Sequence, residues 1–385
     1  MNVILFCEKE QEQLLPLTFL KPCGELRMGI LSFKDRWERF LGKKISYKTL
    51  PYLAEAFPMK EEEVNLFLNP TYLPTAELFD TLLNLKQGKA IQYKDAILAF
   101  KGSNEDFEAK KWEVQSWDSE LIHIQRPYDL FSYNDKVLAF DFELLTKNRI
   151  SQPISETNGV INEDNIFLEE GAKVEFAILN ATDGPIYIGK DAEICEGSMV
   201  RGGLALCDHA KLNLGTKIYG ATTIGPHCKV GGEVNNSILT GYSNKGHDGF
   251  LGNSVIGEWC NLGADTNNSN LKNNYGEVKL WNYAENKFEK TGLQFCGLIM
   301  GDHAKSAINT QFNTGTVVGP FANVFKSGFP PNRVKMFSWG GGNEDDKFRL
   351  DAAYEVAERM MSRRKIDLTN DMKNIIKHLF ETHQE

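Results

Sequence analysis

The chain has 385 residues, enough for two or three domains, with the apolar and charged fractions of an ordinary soluble globular protein. Its formal net charge of −9 argues against nucleic acid or an anionic membrane as a partner, because both recruit basic patches. Small phosphorylated molecules, which need only a few local cations, stay open. No stretch reaches the length of a membrane span, and the start, MNVILFCEKEQEQ, turns acidic too soon for a signal peptide, so a cytoplasmic protein is expected.

The seven cysteines (Cys7, Cys23, Cys195, Cys207, Cys228, Cys260 and Cys296) are odd in number, scattered and without a CxxC pair. Neither a zinc ribbon nor a disulfide framework is expected; they read as small buried hydrophobes in a reducing compartment.

Residues 1–150 alternate strands and helices. Val3–Cys7, Val64–Asn69, Ala96–Phe100 and Leu121–Gln125 read as strands, residues 75–86 as a helix capped by Thr75, and Tyr128–Lys147 as another. That order predicts an α/β domain with a largely parallel sheet. Asn148–Asn165 is polar, holds Pro and Gly, and reads as a linker.

A six-residue period follows. Ile188, Ile194, Val200, Leu206, Leu212, Ile218, Ile224 and Val230 are evenly spaced, and several precede glycine. Neither a helix nor a simple strand has that period. A triangular coil has: three six-residue faces make a turn, so Ile188, Leu206 and Ile224 form one interior column and Ile194, Leu212 and Val230 another, each strand pairing with the coils above and below. The pattern resumes in a shifted phase at Ile256 and Leu262 and again at Val318. A left-handed parallel β-helix over 151–342 is therefore expected, with a helical tail over 343–385.

Between Val230 and Ile256 the repeat breaks, and an insertion holds Tyr242–Phe250, with His247 inside. A loop leaving a regular solenoid is where function tends to sit. Histidine suits general-base work near neutral pH.

The wider stretch carries Lys245-Gly246-His247, Leu251-Gly252, Asn261-Leu262-Gly263-Ala264 and Asn274-Tyr275, with Gly301-Asp302-His303 and Ile308-Asn309-Thr310-Gln311 beyond. Over roughly residues 160–330 it resembles the acetyltransferase domain of the bifunctional N-acetylglucosamine-1-phosphate uridyltransferase/glucosamine-1-phosphate N-acetyltransferase (GlmU-type) family. The resemblance implies a homotrimer that transfers an acyl group, from acetyl-CoA, to the amine of an amino sugar phosphate. It makes His247 the base and places Lys217, Lys245, Asn261, Asn274 and Tyr275 on the sugar, and Gly263, Ala264, Asn309 and Thr310 on the acyl-CoA. Lys217 stands where the family has an arginine, Phe250 where it has a tyrosine, and Asn235 and Asn236 where it has lysines.

Near the N-terminus, Leu15-Pro16-Leu17-Thr18, Lys21-Pro22 and Glu25-Leu26-Arg27 resemble the end of a sugar nucleotidyltransferase signature. The glycine-rich loop that should precede it is absent; Cys7–Gln11 stand there. The resemblance implies a divergent, shortened nucleotidyltransferase-like domain, binding UTP or a UDP-sugar with Lys21 and Arg27 at the phosphates and Asn69 where Mg²⁺ is held. Two other readings compete. One is a non-catalytic trimeric sugar-nucleotide scaffold. The other is a γ-type carbonic anhydrase, which needs three histidines on one metal; the seven here (His123, His209, His227, His247, His303, His378 and His383) offer no close pair in sequence, and no protein-held metal is expected in the β-helix.

Overall fold

The computed structural model describes residues 2–342 and 346–382. The remaining positions, His383 among them, lie outside the described residues. None of the described helices is long and apolar enough to cross a membrane.

The N-terminal domain is built on a six-stranded mixed sheet ordered 45–48, 2–6, 65–68, 96–102, 89–93, 113–116. The first three strands are parallel, whereas 96–102 runs antiparallel to both neighbours, so the sheet is less parallel than expected. Thr75 caps the helix Ala76–Asn84 through its hydroxyl, which accepts from the Leu78 N–H at 3.2 Å. A further helix, Phe33–Leu41, is capped in the same way by Ser32 and stopped by Gly42 in the left-handed conformation. Leu121–Gln125 forms only an isolated bridge between Tyr72 and His123, and the helix expected over 128–147 is two, Pro127–Ser132 and Asn134–Thr146.

The six-residue period builds a three-faced prism, the left-handed parallel β-helix expected. The first face has nine strands, from Ile166–Leu168 to Arg333–Val334. Its interior column runs through Leu168, Ile188, Leu206, Ile224, Leu239, Ile256, Met300, Val318 and Val334. A second column stacks Val174, Ile194, Leu212 and Val230. These side chains are buried in one continuous apolar core. The expected linker is more than a tether: Gly159–Ile161 is the first strand of the third face, and Ser151 and Gln152 hydrogen-bond to the coil at Leu168 and Ala172.

The break between Val230 and Ile256 is not an insertion. Strands 233–235, 238–241, 244–245 and 250–252 continue the prism, and only the corner lengths change. The true excursion is later, from Asn270 to Gly297. It is pinched by a Leu271–Phe295 bridge and carries an antiparallel hairpin, Lys279–Asn282 with Lys287–Lys290.

That excursion and the N-terminal domain cover the first face. Outward Ile238, Val255, Ile299 and Val317 pack with Leu14, Leu26, Met28 and Phe131 on one side and Val278 and Leu280 on the other. The Thr223 hydroxyl donates to the Gly29 carbonyl at 2.8 Å across this seam. Beside it, Arg36 and Asp141 form a buried bidentate pair. At the corner joining the first and second faces, His209, His227, Tyr242, Trp259, His303, Phe321 and Phe337 stack ring on ring, each with φ between +55° and +60°. The tail forms two helices, Leu350–Ser362 and Asn370–Thr382, which pack over the upper rings and also reach the N-terminal domain, where His378 stacks on Tyr52 at 4.6 Å.

Candidate functional site

At the corner joining the second and third faces, the first coil turns through three residues, 175–177, and later coils through four: 195–198, 213–216, 246–249, 263–266 and 307–310. One coil is shorter than all of these. Between Lys229–Val230 and Glu233–Asn235 the turn is Gly231-Gly232 alone. Glycine is required there, because a Cβ on Gly231 would sit 2.6 Å from the Gly246 oxygen, and one on Gly232 2.8 Å from the Asp248 Cα. Gly232 also has φ +75°, which disfavours any side chain. The corner thus loses one knuckle, leaving a notch of about 940 Å³.

His247 lies at the upper rim of this notch, exposed, with Asp248, Ala264 and Asp265 beside it. Glu193, Glu196, Lys211 and Asn213 line the lower side. A hydrogen bond from Lys211 at 2.8 Å holds the Glu193 carboxyl below its usual range. Asn213, which the sequence did not single out, donates to the Gly246 carbonyl at 2.8 Å and so braces the turn carrying His247. Four carboxylates against Lys211 make the notch suited to a cationic amine.

Of the other residues expected on the acyl-transfer site, Gly263, Asn309 and Thr310 share this corner. The Asn309 N–H donates to the Ala264 carbonyl at 2.8 Å, and the Thr310 hydroxyl to that of Ala307 at 2.8 Å. The rest are elsewhere. Lys217 is exposed on the third face in register with Met199 and Glu233. Asn261 lies on the second face, accepting from Asn244 at 3.0 Å. Asn274 and the exposed Tyr275 ride on the excursion, which leaves from a different corner of the prism. Lys245 points inward: its side chain is 1 % exposed and replaces an aliphatic residue in the second interior column.

Two clefts mark the N-terminal domain. Both lie over the carboxyl ends of the parallel strands 2–6, 45–48 and 65–68, where the chain switches from one side of the first strand to the other. That is the usual ligand position in open α/β sheets. The smaller, about 150 Å³, is lined by Gly24, Tyr47, Lys48, Thr49 and the Cys7–Cys23 pair. These two cysteines form a disulfide, contrary to the expectation of isolated thiols; the other five are free and buried.

The larger cleft, about 410 Å³, holds Glu10, Asn69, Tyr72 and His123. Glu10 Oε1 accepts from Asn69 at 3.0 Å and contacts His123 Nε2 at 3.1 Å, while His123 stacks on Tyr72 with ring centroids 4.0 Å apart. Burial works against the Glu10 charge, but His123 and Asn69 outweigh it and hold the carboxyl below its usual range. Its Oε2 and the Tyr72 hydroxyl find no partner. Asn69 is committed, since its Oδ1 also accepts from the Thr71 N–H and hydroxyl. Glu10 and His123, 113 residues apart, escaped sequence reasoning.

Neither cation expected at a phosphate lines a cleft. Lys21 pairs with Glu258 and Asp302 of the β-helix, each at 3.0 Å. Arg27 donates to the Ile30 carbonyl and lies 4.0 Å from Asp35. His209 and His227, 18 residues apart in sequence, stack on adjacent coils at 4.8 Å. Among the described residues, however, no three His, Cys, Asp or Glu side chains converge as a metal cage.

No curated protein matches the chain. A family model described as sugar nucleotidyl transferase matches residues 3–150, so the mixed-sheet domain with its two clefts is a sugar nucleotidyl transferase-like domain joined to a hexapeptide-type β-helix.

Proposed function

We propose that the β-helix transfers an acyl group from acyl-CoA, acetyl-CoA by resemblance, to the amine of an amino sugar, and that the N-terminal domain binds the sugar phosphate or sugar nucleotide. The observation that carries this is His247 at the rim of a notch opened by one shortened corner. There the imidazole takes a proton from the acceptor ammonium, favoured in that place by Glu196, Asp248 and Asp265. The freed amine attacks the thioester carbonyl, a C–N bond forms, the C–S bond breaks, the nitrogen loses its second proton to solvent, and coenzyme A leaves as the thiol with the proton that the imidazolium returns. Ala264 and Asn309, on the same edge, suit the acyl donor.

In the N-terminal domain, the large cleft supports a sugar. Among its lining residues, Glu10 Oε2 and the Tyr72 hydroxyl are without hydrogen-bond partners. If Mg²⁺ assists nucleotidyl transfer, Glu10, rather than the committed Asn69, would hold it together with substrate phosphates, whose charge the ion neutralises. The helix that follows the first strand begins with Glu10 and carries Glu12, so carboxylates occupy the end that a triphosphate would seek. Sugar-nucleotide binding is therefore favoured over rapid use of UTP.

One experiment covers both halves. Thiol release from acetyl-CoA is measured with a panel of amino sugar phosphates and nucleotide-linked amino sugars, alongside calorimetric binding of UDP-N-acetylglucosamine. His247→Ala should slow thiol release by about 10²–10⁴-fold and leave nucleotide binding and melting temperature unchanged. Absence of thiol release by the wild type refutes the acyltransferase, and absence of binding heat refutes the N-terminal assignment.

A further inference from the structure

We propose that Lys245 is a positioning residue for His247, an ammonium sealed inside the prism that fixes the turn from which the imidazole projects. The inference rests on the reading of His247 as the base.

Its place in the fold is the first argument. The second interior column reads Val174, Ile194, Leu212 and Val230, then Lys245, and the pairing of Asn244 with Asn261 sets Leu262 beside it on the next coil. An apolar side chain would fill this position without the desolvation that an ammonium suffers. A residue that breaks a local rule so plainly points to a functional demand.

The contacts say what the demand is. Lys245 Nζ donates to the Gly231 carbonyl at 2.9 Å and to the His247 carbonyl at 3.1 Å. One acceptor belongs to the two-residue corner that forms the floor of the notch, and the other to the residue bearing the imidazole. A single cation therefore ties the missing knuckle to the turn stacked above it. Both carbonyls face an interior of aliphatic side chains, where an unpaired acceptor is costly. Asp248 and Asp265, on the notch side, add favourable charge, while burial pushes the ammonium down to about 8. From this buried position the side chain does not touch the notch, so it acts through His247 and not on the substrate.

The test is a double-mutant cycle in the full-length protein, with acetyl-CoA and the best acceptor from the panel. Lys245→Met should fold with an unchanged circular dichroism spectrum, keep KM for acetyl-CoA within about twofold, and lose about 10- to 100-fold in kcat, the cost of a misplaced catalytic group. Lys245→Gln, which keeps N–H donors without the charge, should recover much of that loss. Added to His247→Ala, Lys245→Met should cost nothing further, because the two act as a unit. An unchanged kcat in Lys245→Met, or an undiminished cost in the His247→Ala background, overturns the proposal. If Lys245→Met fails to fold, the same cycle is run with Lys245→Leu, which matches Leu212 in this column, and collapse of both apolar variants overturns the proposal by showing that the lysine serves folding instead. A His247→Ala enzyme with wild-type kcat would instead remove the base reading itself.

Discussion

Two buried lysines show how partners decide the fate of a charge. Burial opposes the Lys21 ammonium, but Asp302 and Glu258 outweigh it and raise its pKa, so it stays charged and clamps the N-terminal domain to the prism. Lys245 has only carbonyls in contact, and burial wins, pushing it down to about 8. The unfolded chain releases that proton near 10.4. Between those values the unfolded state binds more protons, so this site makes stability rise with pH across that window, whereas below it the folded state bears the full cost of a buried charge. Relative to Lys245→Met, which carries no proton at this site, wild type should therefore gain stability by about 1.4 kcal/mol per pH unit at most between about 8 and 10.4. Urea denaturation of both proteins at pH 7 and pH 9.5 checks this, and a constant difference would show that the ammonium is not desolvated. The half-buried Lys305, also pushed to about 8, is common to both proteins and cancels.

At the scale of elements, the notch depends on corner length and not on any single side chain. Inserting Asn-Gly between Gly231 and Gly232 would restore a four-residue corner. The variant should keep the β-helix, seen as an unchanged far-ultraviolet spectrum, and lose acyl transfer to the level of His247→Ala. Retained activity would place the reaction elsewhere. The same corner explains what the sequence disclosed. Inward positions accept almost only apolar residues, so the spacing from Ile188 to Val230 was legible. The two-residue corner, and a further residue lost before the first face, place Leu239 fifteen positions after Ile224 instead of eighteen, and this phase slip reads as an insertion. The first coils were hidden by the opposite change, since Ile188 follows Leu168 by twenty positions and the six-residue period is legible only from Ile188 onward. In the N-terminal domain, Glu113–Ser116 is an edge strand with every residue exposed, so it has no alternation to reveal it. His247 was legible because Lys245-Gly246-His247 is contiguous. The Glu10–His123 pair was not, because only the folded sheet brings it together.

For the whole molecule, the coverage of the prism is uneven. The N-terminal domain and the excursion cover the first face, and the C-terminal helices seal the upper part of one corner. The third face keeps Ile178 and Met199 outward at 50 % and 46 % exposure, flanked at the neighbouring corner by Phe176 at 64 % and Leu214 at 72 %. So many exposed apolar side chains together mark a contact surface, and a flat-sided prism closes most simply around a three-fold axis. Closure also bears on the site, because the exposed Tyr275 leaves a corner other than the one that carries His247, and a ring of copies sets such corners beside one another. We therefore expect a homotrimer, with a mass by light scattering three times that of the chain at micromolar concentration. Ile178→Glu combined with Met199→Glu should yield a folded monomer that binds UDP-N-acetylglucosamine as before but has lost most acyl transfer. A monomeric wild type removes the trimer, and a monomeric double variant with full acyl transfer shows that each notch is complete within one chain.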